Sequence, residues 1–326
     1  HNHGNSGADF SDGDYAGLVK MARYLAKNGV TSFAPASMTL PYDVLEAAYK
    51  TAVRLKNKQP ADCARLMGIQ MEGPFFSEKK KGAQNGAYLR NPDFGAFHHL
   101  YEAAEGLLRI VDVAAELPGA VEFTEKASRL CTVSIAHTDC TYEEASAVFD
   151  AGASHLTHLY NAMPGIHHRK PGLVGTAFRV RDIYGEVICD GCHSHLAALN
   201  DFFVAKGRDY SIMISDSLRA KHCPPGGEYE LGGHPIEIRD NGLAYLKGTD
   251  TIAGSTLHIN CGLRLLVEEA LVPFDAALNA CTINPARCLR VDDHKGRLAA
   301  GYDADLVVLE DNYDVCQTYC KGVAML

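Results

Sequence analysis

Along this chain, one short apolar run after another ends on a single metal-binding side chain. Met71-Glu72, Ala136-His137, Thr157-His158 and Ser215-Asp216 each close a β-like stretch, and the chain opens on His1-Asn2-His3. Side chains alternate with period two along an extended strand, so two histidines at i and i+2 face the same way. Imidazole and carboxylate together suit zinc, iron and related divalent metals. A fold compatible with this pattern must bring the ends of several strands to one place.

The intervals between those runs read as helices. Leu18, Met21, Ala22 and Leu25 recur at helical spacing over 14–28, and Gly29 stops the helix as a C′ glycine. Pro41 opens the next helix, to about residue 56, where its missing N–H costs nothing. Thr141 and Glu144 form a capping box for a helix ending at Gly152. Strands are expected at 30–36, 65–71, 107–115, 132–136, 154–157, 184–189 and 210–215. An eighth would lie upstream of His1, so the chain reads as truncated. Strand–helix alternation argues a parallel α/β fold, and eight units argue a TIM-like (β/α)₈ barrel of the metal-dependent hydrolase kind. The candidate ligands would then sit at C-terminal strand ends, where barrel active sites are built. A doubly wound sheet would alternate too, but no Gly-rich phosphate fingerprint follows an early strand.

Residues 1–290 are expected to form the barrel, with short strands and turns near 226–247 inserted after its last strand. A helix is expected over 274–289. Residues 291–326, with a strand at 304–309, read as the C-terminal part of a small β-sandwich whose other strands would precede His1. The net charge of −9 disfavours a nucleic-acid surface, and Lys79-Lys80-Lys81 is the only compact basic run. No stretch approaches the roughly 20 apolar residues of a membrane span. Eleven cysteines in 326 residues are too sparse for a disulfide scaffold and suggest a reducing cytoplasm. Cys189 and Cys192 match C-x-x-C, but no second pair accompanies them to make a structural zinc site.

Seven segments carry a family resemblance: Met71-Glu72-Gly73-Pro74-Phe75, Lys81-Gly82-Ala83, Thr157-His158-Leu159-Tyr160-Asn161-Ala162-Met163, Asp190-Gly191-x-His193, Ser215-Asp216, Ala253-Gly254-Ser255 and Gly301-x-x-Ala304-Asp305-Leu306. In this order they resemble the N-acetylglucosamine-6-phosphate deacetylases of the amidohydrolase superfamily. The resemblance implies a barrel with a small β-sandwich, a homodimer, and hydrolysis of the sugar's acetamide to acetate and glucosamine 6-phosphate. The epimeric N-acetylgalactosamine 6-phosphate is the alternative substrate. A non-catalytic sensor of amino-sugar phosphates is disfavoured, because every catalytic position is kept.

By the same resemblance Glu72, His137 and His158 would hold a divalent ion: zinc, with iron, manganese or cobalt as alternatives. His1 and His3 could hold a second ion with Glu72 bridging, or else hydrogen-bond the solvent network beside a single ion. Such an ion lowers the pKa of water towards roughly 7, and Asp216 would take the proton and return it to the leaving amine. His193 resembles the histidine that contacts substrate; His195 shares its parity, but the Asp-Gly-x-His pattern selects His193. Asn161, the backbone N–H of Ala162, and Arg169 resemble the phosphate-binding set, since a guanidinium offers a phosphate paired donors. Without that role Arg169 would be a surface charge. Gln84 stands where some relatives have a histidine; it can donate to a substrate carbonyl but cannot carry a proton. The surrounding 76–90 segment reads as a mobile lid. His155, three residues before His158, should face the opposite way and pack between barrel and helices.

Overall fold

The computed structural model describes residues 1–224, 226–239 and 242–325. Among them, seven parallel strands form one curled sheet: β1 Ala36–Ser37, β2 Ile69–Met71, β3 Leu108–Val113, β4 Thr132–Ile135, β5 His155–Leu156, β6 Tyr184–Ile188 and β7 Ser211–Ile214, neighbours in that order. Parallel strands covered on both faces are apolar on both. Accordingly Val111, Val133, Leu156 and Val187 pack outward into the main core with the helices. Ile110, Ile188, Ile212 and Ile214 form a separate inner cluster with Cys288.

Residues 1–3 close the barrel. Ala36 N donates to Asn2 O at 2.9 Å on one side, while Asp216 N donates to His1 O at 3.1 Å and His3 N to Ser217 O at 2.7 Å on the other. The opening segment is therefore hydrogen-bonded to the first strand and to the extension of the last.

Helices alternate with the strands. Asp14 accepts from Ala16 N and Gly17 N to cap the helix Tyr15–Lys27, and the Thr141–Glu144 capping box opens Tyr142–Asp150. The helix expected over 274–289 is two, Phe274–Cys281 and Ile283–Cys288, separated at Thr282. Pro285 explains the break: its ring conflicts with the carbonyl four residues earlier and it has no N–H to give. Pro35 and Gly68 likewise interrupt the expected strands at 30–36 and 65–71, leaving Ser32–Phe33 paired with Arg65–Leu66 as a separate parallel pair.

Among the described residues two three-stranded antiparallel sheets are appended. Tyr229–Leu231, His234–Ile238 and Ala244–Leu246 form one, whose Leu231, Ile236 and Ala244 pack on Met38, Leu218 and Ala253. Leu306–Leu309, Val315–Cys320 and Val323–Met325 form the other. A cavity of about 560 Å³ separates that second sheet from the barrel, lined by Ile110, Ile212, Leu306 and Val307 among others. No described helix is long and apolar enough to cross a membrane.

Candidate metal centre

Glu72 directly follows β2; His137, His158 and Asp216 each come two residues after the end of β4, β5 and β7. Three of these are held in left-handed backbone, with φ of +43° at His137, +32° at His158 and +46° at Asp216. Non-glycine residues keep such conformations only where surrounding structure imposes them, at a cost of about 1–3 kcal/mol each, and functional sites are where they gather. The turns that carry these side chains also require glycine. A Cβ at Gly73, where φ is +90°, would collide with Thr39 Oγ1, and one at Gly254 would lie 3.0 Å from Asp216 O. Ser255 N donates to that same carbonyl at 2.7 Å, so the Ala-Gly-Ser segment fixes the Asp216 backbone.

Four imidazoles converge on one carboxylate. Glu72 Oε1 lies 3.2 Å from His137 Nε2 and 3.1 Å from His158 Nε2, and Glu72 Oε2 lies 3.1 Å from His3 Nε2. Asp216 Oδ1 is 3.2 Å from His3 Nε2 and 3.6 Å from His1 Nε2. The rings are fixed from behind. His3 Nδ1 donates to Ala36 O, His137 Nδ1 to Lys80 O and His1 Nδ1 to a Glu186 oxygen, at 3.0, 2.9 and 3.1 Å. A carbonyl or carboxylate only accepts, so each Nδ1 carries a proton and Nε2 is the nitrogen left to give a lone pair to a cation. Two sets emerge, Glu72–His137–His158 and His1–His3–Asp216, each with ligand atoms within 4.8 Å of one another.

This donor set fits a divalent cation. His1 Nε2 is buried without a hydrogen-bond partner, and inward lone pairs with two carboxylates are what imidazole-preferring metals take. The field points the same way. Burial acts to lower the pKa of His1, but Asp216, Glu186 and Glu72 overcome it and hold the ring up to about 9. His3 is likewise held well above its ordinary value against burial by Asp216 and Glu72. Burial acts to raise Glu72, yet hydrogen bonds from His137, His158 and His3 keep it well below the usual carboxylate range. Positive charge is strongly favoured at this spot.

The remaining expected residues are not all brought here. Gln84 is, but differently from expectation. Its Nε2 donates to Glu72 Oε2 at 2.8 Å and its Oε1 accepts from Thr39 N at 2.7 Å, so both ends of the amide are engaged inside the protein. His193 Nδ1 donates to Asp190 Oδ2 at 2.6 Å, whereas His195 caps the following helix by accepting from Ala197 N. Asn161 and Ala162 lie on the turn after His158, where Tyr160 and Ala162 have φ of +78° and +55°. Arg169 is exposed and donates to His168 Nε2 at 2.6 Å, in a loop where Ile166 is also exposed.

His155 corrects the sequence reading. It does not pack between barrel and helices; its Nδ1 meets Ser134 Oγ at 2.9 Å and its Nε2 lies 3.5 Å from Glu186 Oε1, among the polar side chains inside the barrel. Strict alternation would set His158 on the face opposite His155, but its positive φ breaks the alternation and swings it inward as well. Glu186 was missed altogether. The signal was a carboxylate in the middle of an otherwise apolar strand, two residues before Ile188.

The sequence profile of the amidohydrolase family matches residues 1–325. The N-acetylglucosamine-6-phosphate deacetylase of Bacillus subtilis (strain 168) is 37% identical over 325 residues, covering 99% of this chain and 81% of that protein. The N-acetylgalactosamine-6-phosphate deacetylase of Escherichia coli O157:H7 is 32% identical, covering 99% and 84%. Among solved structures, a mutant N-acetyl-D-glucosamine-6-phosphate deacetylase from Mycobacterium smegmatis, in complex with N-acetyl-D-glucosamine-6-phosphate, superposes with a TM-score of 0.92 at 30% identity, over 99% of this chain and 84% of that one.

Proposed function

The chain belongs to the amidohydrolase family, and from that premise we propose that it hydrolyses the acetamide of N-acetyl-D-glucosamine 6-phosphate to acetate and D-glucosamine 6-phosphate, a step of amino-sugar catabolism. One observation carries the reading: four imidazole Nε2 atoms converge on Glu72 with the Asp216 carboxylate beside them. We assign zinc as the metal: Glu72, His137 and His158 would hold one divalent ion and His1, His3 and Asp216 a second. Iron, manganese or cobalt would suit the same donors. When bound, such an ion polarises the amide carbonyl and lowers the pKa of water.

The chain's own residues would do the rest. Asp216 accepts the proton of the attacking water as the C–O bond forms, then delivers it to the nitrogen as the C–N bond breaks. We assign His193, oriented by Asp190, to the substrate. Asn161, the Ala162 N–H and Arg169 take the phosphate; left-handed turns such as those at Tyr160 and Ala162 are the backbone that forms anion-binding nests. Sequence reading also gave Gln84 to the substrate, but its bonds to Glu72 and Thr39 favour a role in the metal centre. We place the protein in the cytoplasm as a homodimer, the exposed Ile166 loop favouring contact with a second subunit, and set the boundary between barrel and small β domain near residue 290.

The test is acetate release by metal-loaded protein, with kcat/KM compared on N-acetylglucosamine 6-phosphate and its galactosamine epimer. Preference for the first is expected. Preference for the second would favour the alternative that the E. coli relative raises, and no release from either would overturn the proposal.

A further inference from the structure

We propose that Glu186 is a positioning residue that holds His1 as ligand to a second metal ion, so that occupancy of the His1–His3–Asp216 position depends on this one side chain. The proposal rests on the metal reading above and goes beyond it. His3 and His137 are fixed by backbone carbonyls, of Ala36 and Lys80, which any sequence in this fold supplies. His1 is fixed by a side chain: its Nδ1 donates to Glu186 Oε2 at 3.1 Å. Its other nitrogen, unpartnered, faces Asp216 Oδ1 at 3.6 Å and Glu72 Oε1 at 3.9 Å.

Glu186 is itself braced. It is buried in the barrel interior, and its second oxygen lies 3.5 Å from His155 Nε2. His155 Nδ1 meets Ser134 Oγ at 2.9 Å, and Ser134 Oγ meets Thr157 Oγ1 at 2.7 Å. Thr157 donates to Asp112 at 3.2 Å. A buried carboxylate is retained only where partners compensate its desolvation. Here the hydrogen bond comes from His1, a ligand candidate, with the His155 ring nearby at 3.5 Å. A carboxylate behind a histidine ligand sets its tautomer, fixes the ring plane and raises the basicity of the coordinating nitrogen. Without Glu186, His1 could rotate or take the other tautomer, whereas Glu72, His137 and His158 keep all of their own supports.

The test is metal stoichiometry and chelator competition on purified protein reconstituted with zinc, comparing wild type, Glu186→Gln and Glu186→Leu, with thermal melting as the check on folding. Wild type should hold two ions per chain. In Glu186→Leu the second ion should bind about 10- to 100-fold more weakly and the first as in wild type. Glu186→Gln should fall between, because its amide oxygen can still accept from Nδ1–H but carries no charge. This near-isosteric variant decides the matter if the leucine variant does not fold. Two-ion binding at wild-type affinity in a folded variant, equal weakening of both ions, or a single ion in the wild type would each overturn the proposal. A wild type that binds no divalent ion would instead overturn the metal reading beneath it.

Discussion

The Nε2 atoms of His137 and His158 stand 3.1 Å apart, and both face the same Glu72 oxygen. Lys80 O accepts from His137 Nδ1, which leaves Nε2 as the nitrogen that can give its lone pair to a cation. A cation that accepts both nitrogens and the carboxylate turns this crowding into three favourable bonds.

Removal of either ring should therefore cost the ion. His137→Ala and His158→Ala should lose most of the metal at this position by elemental analysis. His155→Ala should keep it, because His155 braces Glu186 and touches none of the three ligands. Equal loss in all three variants would show that the ligand set is wrong.

Asp216→Asn should retain the fold and the ion at Glu72, His137 and His158 but lose most turnover. An amide cannot accept the water's proton, and general acid–base catalysis is typically worth ~10²–10⁴-fold. Acetate release near the wild-type rate from a metal-loaded variant would remove Asp216 from the mechanism.

The sequence revealed the candidate ligands that terminate apolar runs, because the end of a strand is itself a pattern: Glu72, His137, His158 and Asp216 each mark one. It did not reveal orientation wherever the backbone leaves the extended region. The φ of +32° at His158 is invisible in the residue string, and with it went the direction of His155. Partners distant in sequence were equally hidden. Glu186 meets His1 across 185 positions, and Gln84 meets Glu72 through a turn of the 76–90 segment that composition does not encode. The fold class came through because apolar periodicity and capping residues are local. The break at Thr282 is legible too, because Pro285 outweighs the apolar spacing around it.

Gln84 offers a sharp contrast between two roles. Its amide is bonded to Glu72 Oε2 and Thr39 N, so Gln84→Leu should weaken metal binding about 10-fold, at the low end of what supporting residues contribute, while leaving KM close to wild type. A raised KM with unchanged metal affinity, measured by chelator competition, would return Gln84 to the substrate.

Arg169 lies outside the metal cluster, exposed beside His168 and three residues after the exposed Ile166. If it binds the phosphate, Arg169→Ala should weaken the phosphorylated sugar much more than unphosphorylated N-acetylglucosamine. A hydrogen bond to a charged group contributes roughly 1.5–3 kcal/mol, or about 10- to 150-fold. Phosphate is equally charged in ground and transition states, so the loss should fall mainly on KM. The loop projects from the barrel, and the guanidinium can serve its own site or a partner subunit's. Mixing Asp216→Asn chains with Arg169→Ala chains separates the two. Should Arg169 act across the interface, each mixed dimer contains one site with both residues intact, and activity returns as subunits exchange. No recovery after exchange has been verified by mass would confine Arg169 to its own subunit, and an unchanged KM in Arg169→Ala alone would remove it from the phosphate site.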